Sequence, residues 1–405
     1  MTEYRIERLG HQGDGIARGP LFAPMTLPGE LVTGTPDGQR LEGVKIVTPS
    51  PDRVAAPCRH FKSCGGCQVQ HASDDFVETW KAGIVAEALR AQGIDAEIAG
   101  VTTSPPRSRR RATLSVRRTK KGAIAGFHGR ASGTIVEIPD CQLLHLDLMG
   151  AIPVAEALAV AGGSRKAELS VSVTLSDAGL DVAVRDGKDL DRDLEVLLAQ
   201  EAERLDLARL TWGDEVIAMR RAPGQTFGPA RVVPPPGSFL QATQHGEAAL
   251  LAAVQKIVGD VSQVVDLFAG AGTFALPLAK NAEVLAVEGD KAMIAALDRG
   301  WREAQGLKKI TGVARDLFRN PLLSDEFRGI EAAVIDPPRA GAEAQIGELA
   351  RAQVPVIAHV SCSPVTFARD ATRLIAAGYQ MGPVLVVDQF RWSAHVELVA
   401  GFRLT

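Results

Sequence analysis

The run His359-Val360-Ser361-Cys362-Ser363-Pro364 places a thiol directly after Val354-Pro355-Val356-Ile357-Ala358, a short β-branched stretch that reads as a buried strand. A cysteine where a strand gives way to a loop lies at the edge of an open α/β sheet, where ligands collect. There its thiolate is a nucleophile, whereas in an apolar core it is a small inert hydrophobe. Two carboxylates belong to the same setting. Asp336 ends the strand-like run from Ala332 and opens Asp336-Pro337-Pro338-Arg339, whose prolines keep the backbone extended and project Asp336 and Arg339 forward. Glu397 stands near the start of the last strand, His395 to Phe402. If that strand runs antiparallel, its start lies at the same edge, and nucleophile, proton acceptor and orienting acid face one cleft.

The elements that must position these groups begin near Thr243. A helix from Gly246 to Val258 leads to a strand from Val264 to Phe268, the turn Ala269-Gly270-Ala271-Gly272-Thr273, and a further helix. Strand Val284 to Glu288, helix Lys291 to Glu303 and strands Ile310 to Val313, Ala332 to Asp336 and Val354 to Val360 follow. This alternation predicts an α/β fold with a parallel sheet covered on both faces. The last two strands, Gly382 to Val387 and His395 to Phe402, lack a helix between them and should form an antiparallel hairpin. Gly270 lets the backbone approach a ligand, and Glu288, one strand later, is placed for ribose hydroxyls. The third glycine of the dinucleotide pattern is missing, Ala275 standing in its place. With Asp316 after the third strand, near an adenine amino group or simply starting a helix, the set looks like the S-adenosylmethionine site of class I methyltransferases.

Arg339 occupies the place where amino-group methyltransferases of this fold carry a base-clamping aromatic residue, which argues against N-methylation. A thiolate, a carboxylate and a methyl sulfonium suit methylation at C5 of a pyrimidine. C5 is a poor nucleophile until Cys362 adds to C6; Glu397 then accepts the C5 proton, and Asp336 orients the ring's polar edge. The base must leave its stack to be reached.

At 405 residues the chain predicts two or three domains, and its net charge of −3 does not advertise nucleic acid, so any such affinity rests on a local patch. No run approaches the roughly 18 continuous apolar residues of a membrane span, and Met1-Thr2-Glu3-Tyr4-Arg5 does not begin a signal peptide; a cytoplasmic protein without membrane partners is expected. Five cysteines partition as four plus one. Cys58, Cys64 and Cys67, in C-x5-C-x2-C spacing with Gly65 and Gly66 between the last two, can converge on one centre, and Cys141 is the remaining thiol besides Cys362. All-thiolate ligation suits an iron–sulfur cluster or tetrahedral zinc, and spacing does not choose between them. His60 and His71 are further potential ligands.

Residues 1–50 hold short apolar stretches between glycine turns and predict a small β-barrel. Residues 51–235 predict an α+β domain containing the cysteine segment, a helix from Asp75 to Gln92, and the basic run 107–121 around a strand from Ala112 to Val116. Arg107, Arg109, Arg110, Arg111, Arg117 and Arg118, together with Arg339, are candidates for tracking RNA phosphates. Val233-Pro234-Pro235-Pro236-Gly237 reads as a linker to the last domain, residues 236–405.

At these residues the sequence resembles the RNA 5-methyluridine (uracil-C5) methyltransferase family, along essentially its whole length. The resemblance rests on the barrel, similar to a TRAM or OB-type module, the C-x5-C-G-G-C-x-x-Q segment with its distant cysteine, Phe239-Leu240-Gln241, the glycine turn, Asp336-Pro-Pro-Arg, Ser361-Cys362-x-Pro and His395-Val-Glu. It implies a class I, Rossmann-like catalytic domain, a [4Fe-4S] cluster on Cys58, Cys64, Cys67 and Cys141, and S-adenosylmethionine contacts from Gln241, Phe268, Thr273, Glu288 and Asp336. It further implies uridine methylation with 23S ribosomal RNA preferred to transfer RNA, by a monomer. Ala269 and Ser363 depart from the family pattern, where cysteine and asparagine are frequent; neither position carries an assigned chemical role. RNA cytosine-C5 transfer is the enzyme alternative, disfavoured because its additional Pro-Cys motif is missing. A cluster-bearing RNA-binding protein is the non-catalytic alternative.

Overall fold

The computed structural model describes residues 2–405; Met1, with which the expected barrel segment opens, lies outside the described residues. Strands Glu3–Leu9, Gly15–Ala17, Leu21–Ala23, Leu31–Asp37 and Arg40–Thr48 form a closed barrel in the order first, second, third, fifth, fourth. Ile6, Ala17, Ala23, Val32 and Leu41 fill it. Strands this short bury little singly, and closure removes the exposed edges they would otherwise present.

A second sheet of seven strands runs in the order Glu215–Met219, Arg209–Trp212, Gly179–Arg185, Glu168–Ser176, Arg111–Arg118, Ala123–His128, Ile135–Glu137. Helices Ala151–Gly162 and Arg192–Arg204 pack on it, burying Leu158, Leu198 and Ala202 against Val171, Val182 and Trp212. This is the expected α+β domain.

The third sheet has nine strands. Along its main path lie Ile310–Ala314, Glu283–Glu288, Gln263–Leu267, Ala332–Ile335, Val356–Ser361, Glu397–Leu404, Val384–Asp388 and Ile98–Thr103, while Tyr379–Met381 pairs with Glu397–Leu404. The first five are mutually parallel, and Glu397–Leu404 runs antiparallel to both neighbours, as the missing helix foretold. Helix Lys291–Glu303 buries Met293, Leu297 and Gly300 on one face, the spacing of an amphipathic helix. A leucine buried like Leu297 stabilises the fold by about 1.5–3 kcal/mol. Among the described residues no helix is long and apolar enough to cross a membrane.

Two expected boundaries need correction. Ile98–Thr103, assigned to the 51–235 domain, pairs in parallel with Val384–Asp388 and extends the large sheet. Helix Asp74–Arg90 goes with it, packing Val85 and Leu89 into the core beside Val386 and Leu374. These segments cover a strand edge that would otherwise expose unpaired backbone. The hairpin Gln225–Phe227 and Ala230–Val232 likewise sends Phe227, Ala230 and Val232 into the large sheet's core, ahead of residue 236. Its docking explains Gly300, where a Cβ would approach Val232 Cγ2 to 2.6 Å. The helix expected after the glycine turn shrinks to Ala275–Leu278.

Candidate active site

The five parallel strands end on one side of the sheet, and their loops enclose a cavity of about 640 Å³. Gln241, Phe268, Gly270, Thr273, Glu288, Asp316, Asp336, Arg339, Cys362 and Glu397 all line it, so the groups singled out by chemistry meet in one space. Cross-strand register explains why. Ser361 lies opposite Leu398, which sets Cys362, just past the end of one strand, beside Glu397 at the start of its antiparallel neighbour.

Cys362 lies two residues before helix Pro364–Ala376, whose N-terminus is capped by Ser363 accepting from the Thr366 N–H at 3.4 Å. Serine thus keeps the capping function that an asparagine would supply there. A helix N-terminus favours a thiolate, but burial, then the Glu397 and Asp336 carboxylates, push the Cys362 thiol up to about 11. Burial raises the Asp336 carboxyl to about 7, and burial, followed by Asp336, raises Glu397 to about 8. At neutral pH the resting site therefore holds protons that it must give up to react. Arg111 faces Glu397, and Arg339 faces Cys362; each favours the anion.

On the opposite wall Gly270 donates its N–H to Glu288 Oε2 at 3.0 Å, while Asp290 N–H binds Oε1 at 3.0 Å, fixing that carboxylate at the cavity. Gly272 has φ +98°, and a Cβ there would meet Leu276 Cδ1 at 2.7 Å, so the turn needs glycine at this position. Phe268 also takes a left-handed φ of 63°, a conformation costing about 1–3 kcal/mol, and packs against Phe318 with centroids 5.3 Å apart. Asp316 lines the cavity and accepts the Phe318 and Arg319 N–H groups at 3.0 and 3.2 Å, closing a turn where no helix begins.

The basic run needs a further correction. Arg110 is buried, pairs with Glu247 at 2.5 Å and donates to Gln241 O at 3.1 Å, tying the central sheet to helix Gln244–Val258. It is spent on that junction rather than on a free surface. Arg109 and Arg111 also turn inward, lying 5.6 Å from the Phe390 ring centroid and 4.8 Å from that of Phe239. Arg117 pairs with Glu168 at 3.1 Å, Arg118 donates to Gly163 O at 3.3 Å, and Arg107 and Arg339 are exposed.

Cys58, Cys64, Cys67 and Cys141 are free thiols gathered at the junction of the three bodies, around Phe61, Leu143 and Trp392. Burial first, then Cys141, Cys64 and Cys58 nearby, push the Cys67 thiol up to about 12. Two arginines face the group: Arg109 toward Cys67 and Cys141, Arg130 toward Cys67 and Cys64. Among the described residues no three His, Cys, Asp or Glu are arranged to hold a single metal ion. His60 instead pairs with Asp140 at 2.9 Å, and His71 stacks on Phe61.

Several functional positions escaped the sequence. Met293, Phe318 and Phe390 line the cavity from loops or helix ends, without a motif of their own. Lys81, fully buried, pairs with Asp388 at 2.5 Å and donates to the Phe390 and His395 carbonyls at 3.2 and 3.0 Å, strapping the loop that delivers Glu397. A lone lysine within a helical pattern gives no sign of this.

A protein 42% identical over 404 residues, spanning 98% of this chain and 97% of its own, is an uncharacterized RNA methyltransferase of Rhizobium meliloti (strain 1021). A family model described as tRNA (Uracil-5-)-methyltransferase matches residues 235–404. The chain belongs to the RNA uracil-C5 methyltransferase family. Another member, the 23S rRNA (uracil(1939)-C(5))-methyltransferase of Halomonas elongata, is 32% identical and covers 98% of this chain and 88% of its own. The fold is also that of the Pyrococcus abyssi tRNA (uracil-54, C5)-methyltransferase, solved with S-adenosyl-L-homocysteine: TM-score 0.76, 22% identity, 98% of this chain and 99% of that one covered. The expected class I fold with an N-terminal barrel is thereby met, and the family expected from the motifs is the family found.

Proposed function

We propose that this enzyme transfers the methyl group of S-adenosylmethionine to C5 of a uridine in RNA, through a covalent adduct on Cys362. The observation that carries the reading is the meeting of Cys362, Glu397 and Asp336 in one cavity with the Gly270 turn and Glu288. Gln241, Phe268, Gly270, Thr273, Glu288, Asp316 and Asp336 would hold the methyl donor, which supplies an electrophilic carbon and a positive charge. That charge offsets the repulsion among the thiol and two acids and favours their ionised forms. The Cys362 thiolate bonds to C6 and drives the electron pair toward O4, held as an enolate. C5 then takes the methyl group, Glu397 removes the C5 proton, and the sulfur–C6 bond breaks to restore the double bond and the thiolate. Asp336 orients the polar edge of the ring, and the exposed Arg107 and Arg339 meet backbone phosphates.

We read the substrate as 23S ribosomal RNA, an inference supported by the Halomonas relative. Every reacting group comes from one chain, which suits a monomer, and such an RNA lies in the cytoplasm. Nucleosides from unmodified ribosomal and transfer RNA, incubated separately with enzyme and isotopically labelled S-adenosylmethionine, test this by mass analysis. Labelled 5-methyluridine in the ribosomal pool is expected. Label only in transfer RNA overturns the substrate, 5-methylcytidine overturns the reaction, and no label in either overturns both.

The four convergent thiols would hold a [4Fe-4S] cluster. The donor set is all sulfur, and the facing Arg109 and Arg130 would balance the charge that four thiolates leave on such a cluster. Iron and acid-labile sulfide in anaerobically purified enzyme, lost together in Cys67→Ser, are expected; zinc without sulfide would refute the assignment.

A further inference from the structure

Between the two catalytic acids lies a pair of buried amides to which the mechanism gives no role as a unit. Gln389 follows the end of strand Val384–Asp388, Gln241 precedes helix Gln244–Val258, and each is 2% exposed. The Ala242 N–H donates to Gln389 Oε1 at 2.7 Å. That leaves the Gln389 amino group facing the other way, where it donates to Gln241 Oε1 at 2.6 Å and favours the ionised form of the neighbouring Glu397. With its carbonyl so occupied, Gln241 turns its own amino group to Asp336 Oδ2, at 3.2 Å. A backbone N–H cannot reverse, so the direction of every bond in the chain is fixed.

The slot for Gln389 is built. Gly246 packs against it, and a Cβ at that position would come within 2.7 Å of Gln389 Cβ and 3.3 Å of its Oε1. The Gln241 backbone is held in turn by Arg110. An apolar side chain of the same size would fill the space but could neither satisfy the Ala242 N–H nor donate to Gln241 Oε1.

We propose that Gln389 is a positioning residue, tying the Glu397 and Asp336 carboxylates into one hydrogen-bonded unit and setting which of them holds the proton in the resting site. The proposal rests on the reading of Glu397 as the acceptor of the C5 proton. Glu397 is faced by Asp336 from the end of strand Ala332–Ile335, by Arg111 from strand Arg111–Arg118 and by the Cys362 thiol; His395 lies two residues before it and Arg339 faces both Cys362 and His395. Two buried acids so close do not ionise independently. The Gln389 donor favours the carboxylate of Glu397, the form able to accept a proton, while Gln241 holds Asp336 as an acceptor. Without Gln389 the Gln241 amide loses its fixed sense, and both acids lose a directed donor.

The test uses the full-length enzyme with Gln389→Met, which removes donor and acceptor, and Gln389→Glu, which keeps an acceptor for the Ala242 N–H and so guards against a folding artefact. Single-turnover methyl transfer is measured against pH. The acidic limb of both variants is expected to move up by about one pH unit, an approximately tenfold loss at pH 7, with KM for RNA and for S-adenosylmethionine within about twofold of the parent. A second readout needs no turnover: the infrared carboxyl band that disappears in Glu397→Gln, followed through a pH titration of the parent and of Gln389→Met. Its midpoint is expected to rise in the variant, and an unchanged midpoint or superimposable rate profiles overturn the proposal. If the midpoint rises while the parent makes no 5-methyluridine, the reading of the reaction fails and the amide bridge stands.

Discussion

Glu397 should weaken the fold it serves, and replacing it should stabilise the enzyme in alkaline solution. Its carboxyl is 4% exposed and raised from an ordinary 4.5 to about 8 by burial, then by Asp336. An acid whose value is raised by folding binds its proton more tightly in the folded state. It therefore contributes stability that is fully present below about pH 4.5 and lost as pH rises through about 8. The full span corresponds to about 5 kcal/mol at ~1.36 kcal/mol per pH unit. Glu397→Gln keeps the shape and cannot ionise, so relative to the parent it should gain stability progressively above pH 4.5 and reach a plateau near pH 9. We expect about 3–5 kcal/mol there. Urea unfolding of both proteins from pH 5 to 9, followed by a probe in the large sheet, measures the difference. A difference that is the same at both ends of the range would refute the electrostatic account of this site.

Cys362→Ala should abolish turnover while leaving RNA and donor binding intact, measured by filter binding and calorimetry; normal turnover would sink the covalent route. Lys81→Met should strand the Asp388 carboxylate and cost about 3–5 kcal/mol, because a buried pair is broken from one side. Unfolding midpoints would show it, and loss of 5-methyluridine formation should accompany it, since Lys81 also holds the Phe390 and His395 carbonyls. The arginines separate by salt dependence: Arg107→Ala should reduce the slope of log affinity against log salt by about one, whereas Arg110→Ala should lower stability and leave that slope unchanged.

The barrel, the parallel order of five strands and the antiparallel last strand were legible because each is written locally. Alternation and turn residues mark the strands, and a missing helix between two strands forces them antiparallel. The boundaries at 51–235 and 236–405 were not. Ile98–Thr103 carries a strand pattern that fits any sheet, and only the uncovered edge of Val384–Asp388 says which one receives it. The hairpin Gln225 to Val232 is equally ambiguous until Gly300 is seen to make room for it. Arg110 was misread for a related reason. Charge density in a sequence does not tell an exposed stripe from a junction, and Arg110 finds its carboxylate 137 residues away in Glu247.

The same division runs through the site. Cys362, Asp336 and Glu397 stand out because a thiol at a strand end, an acid before two prolines and an acid between apolar neighbours are each unusual. The residues that tune them are unremarkable singly: Gln389 is one glutamine in a loop, and Lys81 one lysine in a helix. Their roles come from direction and burial. An amide becomes a relay when a backbone N–H fixes its sense, and a lysine becomes a strap when burial turns its ammonium onto the carbonyls of a neighbouring loop. Reactive groups are thus found by type and spacing. The groups that set their protonation are found when each buried donor and acceptor is followed to its partner.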